Sequence, residues 1–294
     1  MYRQGTGLSY KTLMGKRFDS LLFPGGLKKA FTLSYDDGVV QDKRLISLFN
    51  KYNVKGTFNL GYGVLGYKSE GPFNIDKVEP EEVKELYKDN EVGGHSLYHS
   101  DLSSLGEPYM MYEILEDKVQ LERLVEKPLK MFAYPFGLFN DKVKDGLKKA
   151  GYKGARTVLS THNFNLPEDP LEWNPTCHHN DEKLMELAEQ FVKGRSMKAQ
   201  LFYVWGHAYE FDKDNNWDMM EKFLDYIDRN RQGIWFVSNG EILDYLQAYD
   251  MLEYSVDGSL IYNPSAIDVE IETSFTTREV LKAGTITKVK ETIL

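Results

Sequence analysis

The chain has 294 residues, enough to bury one large core, and its 41% hydrophobic and 28% charged residues exclude a disordered protein. A net charge of −9 without a concentrated run of lysine and arginine argues against a nucleic-acid partner, because phosphate backbones are bound by basic surfaces. Cys177 is the single cysteine, so an internal disulfide and a zinc cluster of thiolates are both excluded.

The N-terminal segment is polar where a secretory signal peptide needs an apolar stretch. No apolar run in the sequence reaches the length of a membrane span. The sequence therefore predicts a cytoplasmic protein that has no membrane partner.

Strand and helix patterns alternate along most of the chain, after an N-terminal segment (1–27) that is predicted to be irregular. Apolar strand patterns occur at 29–35, 54–60, 91–94, 130–134, 152–158, 199–205 and 234–238. Helical spacing of apolar residues occurs at 41–52, 79–90, 108–125, 141–150, 183–192, 217–229 and 240–249. About seven such alternations are typical of an α/β fold in which a parallel sheet is wound into a barrel.

The pattern changes after residue 250, where short strand patterns follow one another without helices between them. Residues 256–259 predict a hairpin turn, and residues 267–272 and 285–289 alternate with a period of two. We therefore predict a barrel domain over 1–250 and a small β-rich appendage over 251–294. The appendage is expected either to extend a binding cleft or to form a dimer contact, and the sequence does not choose between them.

Polar residues follow predicted strands at four places along the barrel. Asp36 and Asp37 end the first strand, and His95, Tyr134 and His207 end three later ones. Barrel enzymes carry their catalytic residues at the carboxyl ends of the strands. We therefore expect these four segments to share one site.

The adjacent carboxylates Asp36 and Asp37 repel each other, and neither is easily buried. Burial of such a pair becomes tolerable when a cation lies between them or when one of them is protonated. Asp-Asp-Gly is also ordinary turn chemistry, so a solvated turn is the alternative for this stretch taken alone.

His95 and His99 are four positions apart, a spacing at which two imidazoles can bind one cation. A chance pair that only packs is the alternative. Together with one carboxylate, the two histidines make a three-ligand set for a catalytic divalent ion with an open position for water. The second carboxylate can then accept a proton from that water. Zinc, cobalt and nickel suit these ligands comparably.

This combination resembles the polysaccharide deacetylases of the NodB homology group, carbohydrate esterase family 4. Their first motif, Thr-Phe-Asp-Asp-Gly, is matched by residues 34–38, Ser-Tyr-Asp-Asp-Gly. Their second motif, His-Ser/Thr-x-x-His, is matched in full by residues 95–99. A fifth motif, a histidine after an apolar strand, is matched by His207. The similarity in order and spacing extends over residues 31–240, which is most of the chain.

The resemblance implies a distorted (β/α) barrel and metal-assisted removal of an N- or O-acetyl group, with metal-bound water as the nucleophile. It also implies one divalent ion, most readily zinc, that is held by Asp37, His95 and His99. Asp36 is then the general base and His207 the general acid.

The third motif departs from the family pattern Arg-x-Pro-Tyr, because Ala133 stands at the arginine position and Phe136 at the tyrosine position. The backbone N–H of Phe136 can still donate a hydrogen bond to an oxyanion, and Tyr134 beside it is predicted to help bind the substrate. Arg156 and Lys153, on the next predicted strand, are candidate replacements for the missing arginine.

The fourth motif, usually an Asp-Trp pair, is blurred. Trp173 is the nearest match, predicted as a wall of the acetyl pocket or, equally, as a residue that only packs. Trp205 and His178 are further candidates for substrate contacts. A second metal site at His178 and His179 is not expected, because adjacent side chains on an irregular segment usually diverge.

The leading interpretation is a metal-dependent deacetylase with an acetylated oligo- or polysaccharide as its partner. One alternative is a C–N hydrolase of a small amide or ureide with the same fold. Another is a carbohydrate-binding protein without catalysis, in which the altered third motif marks lost chemistry. Both acids and the three histidines favour the enzyme.

Overall fold

A computed structural model describes residues 19–71, 73–273 and 277–289. The first eighteen residues of the segment predicted to be irregular lie outside these ranges. In the described part of the chain, no helix is both long and apolar enough to cross a lipid bilayer.

A parallel sheet forms the centre of the fold. Its strands are β2 (Lys29–Asp36), β3 (Thr57–Leu60), β4 (Glu91–Gly94), β5 (Met131–Ala133), β6 (Gly154–Arg156), β7 (Cys177–His178), β8 (Gln200–His207) and β9 (Ile234–Phe236). Seven of them follow the order β6-β5-β4-β3-β2-β8-β7, and β9 pairs with β2 outside this path. The seven-stranded path forms a half-barrel, which confirms the predicted distorted (β/α) barrel.

Helices connect the strands, as the alternating pattern predicted. They are α1 (Asp42–Lys51), α2 (Pro80–Leu86), α3 (Glu107–Val125), α4 (Asp141–Lys149), α5 (Leu184–Lys193), α6 (Tyr209–Lys213), α7 (Trp217–Arg229) and α8 (Asn239–Asp250). The short elements β7 and α6 were not predicted, because two or five residues are too few to show a period.

Strand β2 lies in the middle of the sheet. It pairs with β8 along its whole length, with β3 at its carboxyl end and with β9 at its amino end. Phe31, Leu33 and Tyr35 belong to the main hydrophobic core. The residues that alternate with them are polar and buried: Thr32, Ser34 and Asp36. The strand therefore delivers a carboxylate into the interior of the protein at its carboxyl end.

The polar residues of β2 are satisfied by hydrogen bonds inside the protein. The Thr32 hydroxyl donates to Asn239 Oδ1 at 2.7 Å, and the hydroxyls of Ser34 and Tyr203 lie 3.0 Å apart. Asn239 Nδ2 also donates to the Tyr203 hydroxyl. These contacts remove the penalty that buried, unpaired polar groups would otherwise carry.

Two small antiparallel sheets complete the fold. One contains β1 (Asp19–Leu22), β12 (Val269–Thr273) and β13 (Arg278–Leu281), and the other contains β10 (Glu253–Tyr254), β11 (Leu260–Tyr262) and β14 (Ile286–Lys288). The predicted turn at 256–259 joins β10 to β11, which confirms that hairpin.

Strand β1 corrects the prediction of an irregular segment at 19–22. Its partner strand β12 lies about 250 positions away in the sequence, and Asp19 pairs with Thr273. A strand stabilised by so distant a partner carries little local signal. Because this sheet uses residues from both sides of position 250, the division of the chain at that position stays a prediction.

Tyr245 on α8 connects this sheet to the barrel. Its hydroxyl donates to the Leu22 carbonyl of β1 at 2.7 Å and accepts from the Glu270 N–H of β12 at 2.8 Å.

We expect Tyr245→Phe to destabilise the protein by about 1–3 kcal/mol, because it leaves two buried backbone groups without a partner. Urea unfolding measures this change, with Tyr109→Phe at a highly exposed position as the control. Equal stability of Tyr245→Phe and Tyr109→Phe would contradict the expected stabilisation by the Tyr245 hydroxyl.

Candidate active site

The carboxyl ends of β2 and β4 bring two acids and two histidines to one place. Asp37 follows β2, and His95 and His99 lie on the loop after β4. Asp37 Oδ1 is 4.0 Å from His95 Nε2 and 3.7 Å from His99 Nε2. The three ligand atoms all lie within 4.8 Å of one another. The side chains predicted to hold a metal therefore converge.

The protonation of His95 fits a cation site. Its Nδ1 lies 2.7 Å from the Ala133 carbonyl oxygen, which can only accept a hydrogen bond, so Nδ1 carries the proton and Nε2 a lone pair. Nε2 is buried and has no hydrogen-bond partner among the described residues. Burial lowers the pKa of His95 to about 4, which keeps the ring neutral at neutral pH. Two imidazole nitrogens and one carboxylate suit a divalent ion such as zinc.

The backbone at this site is strained. Asp37, Ser96, His99 and Phe136 all have positive φ angles, between 56° and 82°. Such conformations cost roughly 1–3 kcal/mol each in residues other than glycine and persist only where the surroundings enforce them. Their concentration on three loops around one cluster indicates a functional site.

Asp36 is held by a buried ion pair. Arg156 Nη2 on β6 contacts Asp36 Oδ2, and Asn59 Nδ2 donates to Asp36 Oδ1 at 2.9 Å. Arg156 is fully buried and its guanidinium lies 4.0 Å from the centre of the Trp205 ring. Burial alone would raise the pKa of Asp36, but Arg156, helped by His95 and His207, lowers it overall. Asp36 is therefore a carboxylate at neutral pH.

Of the two cations named as replacements for the missing third-motif arginine, the structure selects Arg156. Lys153 instead pairs with Asp244 at 3.0 Å on the exposed side. Asp37 has its own cation, Lys77, whose Nζ lies 3.4 Å from Asp37 Oδ1. Burial would raise the pKa of Asp37, but Lys77 and the nearby histidines lower it to about 2.

The sequence reasoning missed Lys77, because it lies in a loop forty positions from Asp37 and belongs to none of the motifs. It also missed Asn59, whose place at the end of the neighbouring strand is the one local signal that could have identified it.

His207 is paired with a carboxylate that the sequence reasoning also missed. Glu210 Oε2 lies 3.4 Å from His207 Nδ1 and accepts the His207 backbone N–H at 3.2 Å. Burial would lower the pKa of His207, but Glu210, followed by Asp36 and Asp37, raises it overall. Glu210 stands three positions after His207, and this helical spacing is the signal that could have indicated the pair.

His178 and His179 converge on the same carboxylate, so the prediction that their side chains diverge was wrong. Their Nε2 atoms lie 3.1 Å and 3.3 Å from Glu210 Oε2. The His179 ring is buried and stacked on Phe211, with ring centres 4.2 Å apart, which turns it toward Glu210. His178 Nδ1 accepts the Asn180 N–H at 3.1 Å, so its Nε2 carries the proton and donates to Glu210. In this tautomer His178 is a hydrogen-bond donor, and the ligand atoms of His178, His179 and Glu210 lie close enough together to form a second candidate ligand set.

The structure corrects two predicted substrate contacts. Trp173 is 1% exposed and packs against Tyr203 in the core, so it does not form a wall of an open pocket. Tyr134 is also 1% exposed, and its hydroxyl donates to the Leu171 carbonyl at 2.7 Å. Because solvent reaches neither ring, neither side chain is placed to touch a substrate.

The other predicted contacts lie nearer the cluster. Phe136 is 63% exposed, and its ring meets His99 edge to face with ring centres 4.5 Å apart. His178 is partly exposed, and its ring is 6.3 Å from His207. Trp205 is largely buried between Arg156 and these histidines, so it packs against site residues and is not an open contact surface.

The fold and the cluster define a (β/α) barrel with a candidate metal centre at Asp37, His95 and His99. Residues 24–155 match the family model described as polysaccharide deacetylase. This stretch of the chain is therefore similar to the polysaccharide deacetylases, which confirms the resemblance seen in the motifs.

Named relatives agree with this assignment. A peptidoglycan-N-acetylglucosamine deacetylase of Bacillus cereus is 28% identical over 223 residues, which cover 74% of this chain and 90% of that protein. Poly-β-1,6-N-acetyl-D-glucosamine N-deacetylases of Staphylococcus aureus are also 28% identical, over 167 residues that cover 52% of this chain and 53% of those proteins. A solved structure from Mycobacterium smegmatis, assigned to the polysaccharide deacetylases, has the same fold, with a TM-score of 0.59 and 14% identity over 79% of this chain and 94% of that one.

The ion pair of Asp36 and Arg156 can be tested by stability. Arg156→Met leaves a buried carboxylate without its cation, and we expect a loss of about 3–5 kcal/mol in the free energy of unfolding at neutral pH. Without Arg156, burial raises the pKa of Asp36 above its unfolded value, so the variant loses stability as pH rises from the unfolded pKa to the higher folded pKa. Denaturant unfolding across a pH series measures both effects.

The double variant with Asp36→Asn is the control for this pair. It removes the uncompensated charge, so it is expected to be more stable than Arg156→Met alone. Additive losses from the two substitutions would show that the pair is not coupled.

Proposed function

We propose that this protein is a metal-dependent deacetylase that removes N-acetyl groups from a saccharide containing N-acetylglucosamine. The observation that carries the proposal is the cluster of Asp37, His95 and His99 beside a second, separately compensated carboxylate, Asp36. The named relatives support the substrate class, because their names specify deacetylation of N-acetylglucosamine in peptidoglycan and in a poly-N-acetylglucosamine.

Asp37, His95 and His99 are the residues that would hold the metal ion, for which we propose zinc. A divalent ion bound there would polarise the acetyl carbonyl and lower the pKa of water. The neutral His95 ring and the ionised Asp37 already have the protonation states that ligands require.

Asp36 is the proposed general base. Arg156 and Asn59 fix its two oxygens, so the carboxylate cannot rotate away from the site. The lowered pKa keeps it ionised and ready to accept the proton of the attacking water. The buried ion pair therefore gives Asp36 both orientation and charge.

His207 is the proposed general acid. Asp36 and His207 are register partners on the adjacent strands β2 and β8, so the base and the acid start side by side at the same edge of the sheet. The pKa of His207 is raised by Glu210, Asp36 and Asp37, which favours the protonated ring, and Glu210 Oε2 lies 3.4 Å from His207 Nδ1. His207 Nε2 is then the atom that donates.

The proposed reaction is a hydrolysis. The oxygen of water bonds to the acetyl carbon while one of its protons passes to Asp36. The C–N bond then breaks as His207 protonates the departing amine, which yields acetate and a free amino sugar. The backbone N–H of Phe136 is placed on the loop beside His99 and is the proposed donor to the oxyanion, and its exposed ring offers a face for the sugar.

The roles of the two acids can be separated by experiment. Asp37→Ala is expected to lose both zinc binding and acetate release from an N-acetylated chito-oligosaccharide. Asp36→Asn is expected to keep zinc and to lose activity by about 10²- to 10⁴-fold, because only proton transfer is removed. Zinc content by elemental analysis and acetate release are measured together, with the exposed Asp145→Asn as the matched control.

Acetate release that survives both a chelator and Asp37→Ala would contradict the metal mechanism. Turnover of ureides in place of acetylated sugars would favour the alternative hydrolase. Sugar binding without turnover in the presence of any divalent metal would favour the binding protein.

The pairing of His207 with Glu210 predicts a change in pH dependence. The acid acts when His207 is protonated, so activity falls as pH rises through its pKa. Glu210→Gln removes the charge that raises this pKa, and the alkaline limb of the kcat profile is expected to move to lower pH. The exposed Glu182→Gln is the control, and an unshifted limb in Glu210→Gln would exclude Glu210 as the partner.

A further inference from the structure

Helix α3 carries two acidic residues that none of the sequence motifs includes. Glu113 and Asp117 stand four positions apart, so they share one face of the helix. Both are buried, with exposed fractions of 8% and 0%. Buried acidic side chains destabilise a protein unless hydrogen bonds compensate them. The hydrogen-bond partners of Glu113 and Asp117 therefore indicate the function of these two residues.

The hydrogen bonds of Glu113 all come from the loop that carries His95 and His99. Glu113 Oε2 accepts the Tyr98 backbone N–H at 3.0 Å and the Ser96 hydroxyl at 3.2 Å. Its other oxygen accepts the Ser100 hydroxyl at 2.9 Å. One side chain thus holds the segment between the two histidines and the residue just after it.

Asp117 holds the beginning of the same loop. Its Oδ2 accepts the backbone N–H of His95 at 3.2 Å, and its Oδ1 accepts that of Tyr62, in the loop after β3, at 2.7 Å. Gly94 makes this approach feasible, because a Cβ at that position would lie 3.1 Å from Asp117 Oδ2 and 2.2 Å from the Tyr152 hydroxyl. Asp117 therefore joins two strand ends to one helix.

The loop needs such support, because its backbone is strained at both ends. Ser96 and His99 have φ angles of 61° and 56°, a region that residues other than glycine rarely adopt. A loop of this kind relaxes unless its surroundings determine its shape. The five donors that meet Glu113 and Asp117 are placed to prevent that relaxation.

A role in packing alone does not account for these residues. An apolar side chain would fill the same volume on α3 without the penalty of burying a carboxylate. Both acids instead accept hydrogen bonds from main-chain and hydroxyl donors of the loops that end β3 and β4.

We propose that Glu113 and Asp117 are positioning residues that hold the loop of His95 and His99 in the conformation that binds the metal ion. This inference rests on the proposed function, because it assigns the purpose of the loop to metal binding. Groups that orient metal ligands typically change metal affinity by about 10- to 100-fold when they are altered. Glu113 and Asp117 would do so through their hydrogen bonds to the loop.

The test uses Glu113→Gln and Asp117→Asn in the full chain, with Glu116→Gln as the matched control. Glu116 lies on the same helix and makes an intrahelical hydrogen bond with Gln120. In either substituted acid, an amide NH₂ replaces one accepting oxygen and leaves a loop donor without a partner. Zinc affinity is measured by competition with a fluorescent chelator, and thermal unfolding of the metal-free protein is measured beside it.

Hydrogen exchange in the presence of a chelator gives a readout that does not depend on metal. In Glu113→Gln the amide of Tyr98 is expected to exchange faster, and in Asp117→Asn the amides of His95 and Tyr62. Each variant should thus show faster exchange only at the amides that donate to the substituted acid. A general loss of stability would not produce this pattern.

The expected result is a fall in zinc affinity of about tenfold or more in either variant, with faster exchange at the named amides and little change in the control. Zinc affinity and exchange equal to those of Glu116→Gln would overturn the proposal. If Asp117→Asn does not fold, the zinc affinity and hydrogen exchange of Glu113→Gln and of the milder Ser100→Ala test the proposal. If the unaltered protein binds no zinc, the proposed function fails, and the exchange of the named amides decides whether these acids hold the loop.

Discussion

Two adjacent carboxylates, Asp36 at the end of strand β2 and Asp37 just after it, lie at the centre of the site, and the rest of the site depends on how their charges are compensated. Burial opposes both charges, and their mutual repulsion adds to that opposition. The protein supplies a separate cation to each, Arg156 to Asp36 and Lys77 to Asp37. Because the two acids have different partners, they are free to serve different purposes although they are neighbours in the chain.

The partners of Asp36 come from strands on opposite sides of β2. Arg156 reaches it from β6, at one end of the sheet, and His207 lies beside it on β8. A curved sheet makes this meeting feasible, since β6 and β8 would be far apart if the sheet were flat. Closure of the half-barrel thus orients the Asp36 carboxylate and places His207 next to it.

Acidic side chains organise the site in two places. Glu210 collects three imidazoles on one oxygen, which raises the pKa of His207 and turns His178 into a donor. Glu113 and Asp117 hold the loop of His95 and His99 from helix α3. In both cases an acidic side chain on a helix lies against several groups of a crowded or strained segment.

The sequence alone determined the alternation of strands and helices, because apolar periodicity is a local property. It also identified three side chains that converge, Asp37, His95 and His99, since their motifs lie at strand ends that a parallel sheet brings to one edge. The sequence did not predict short strands such as β7 or the distant pairing of β1 with β12.

Only the tertiary structure decided which groups compensate the buried charges. Arg156 stands 120 positions from Asp36, and the choice between it and Lys153, which lies just before β6, depends on which of the two side chains faces the interior. The burial of Trp173 and Tyr134, and the convergence of His178 and His179 on Glu210, depend likewise on packing between distant segments. Spacing along a chain reports what a strand or helix presents locally, whereas electrostatic partners are set by the three-dimensional closure of the barrel.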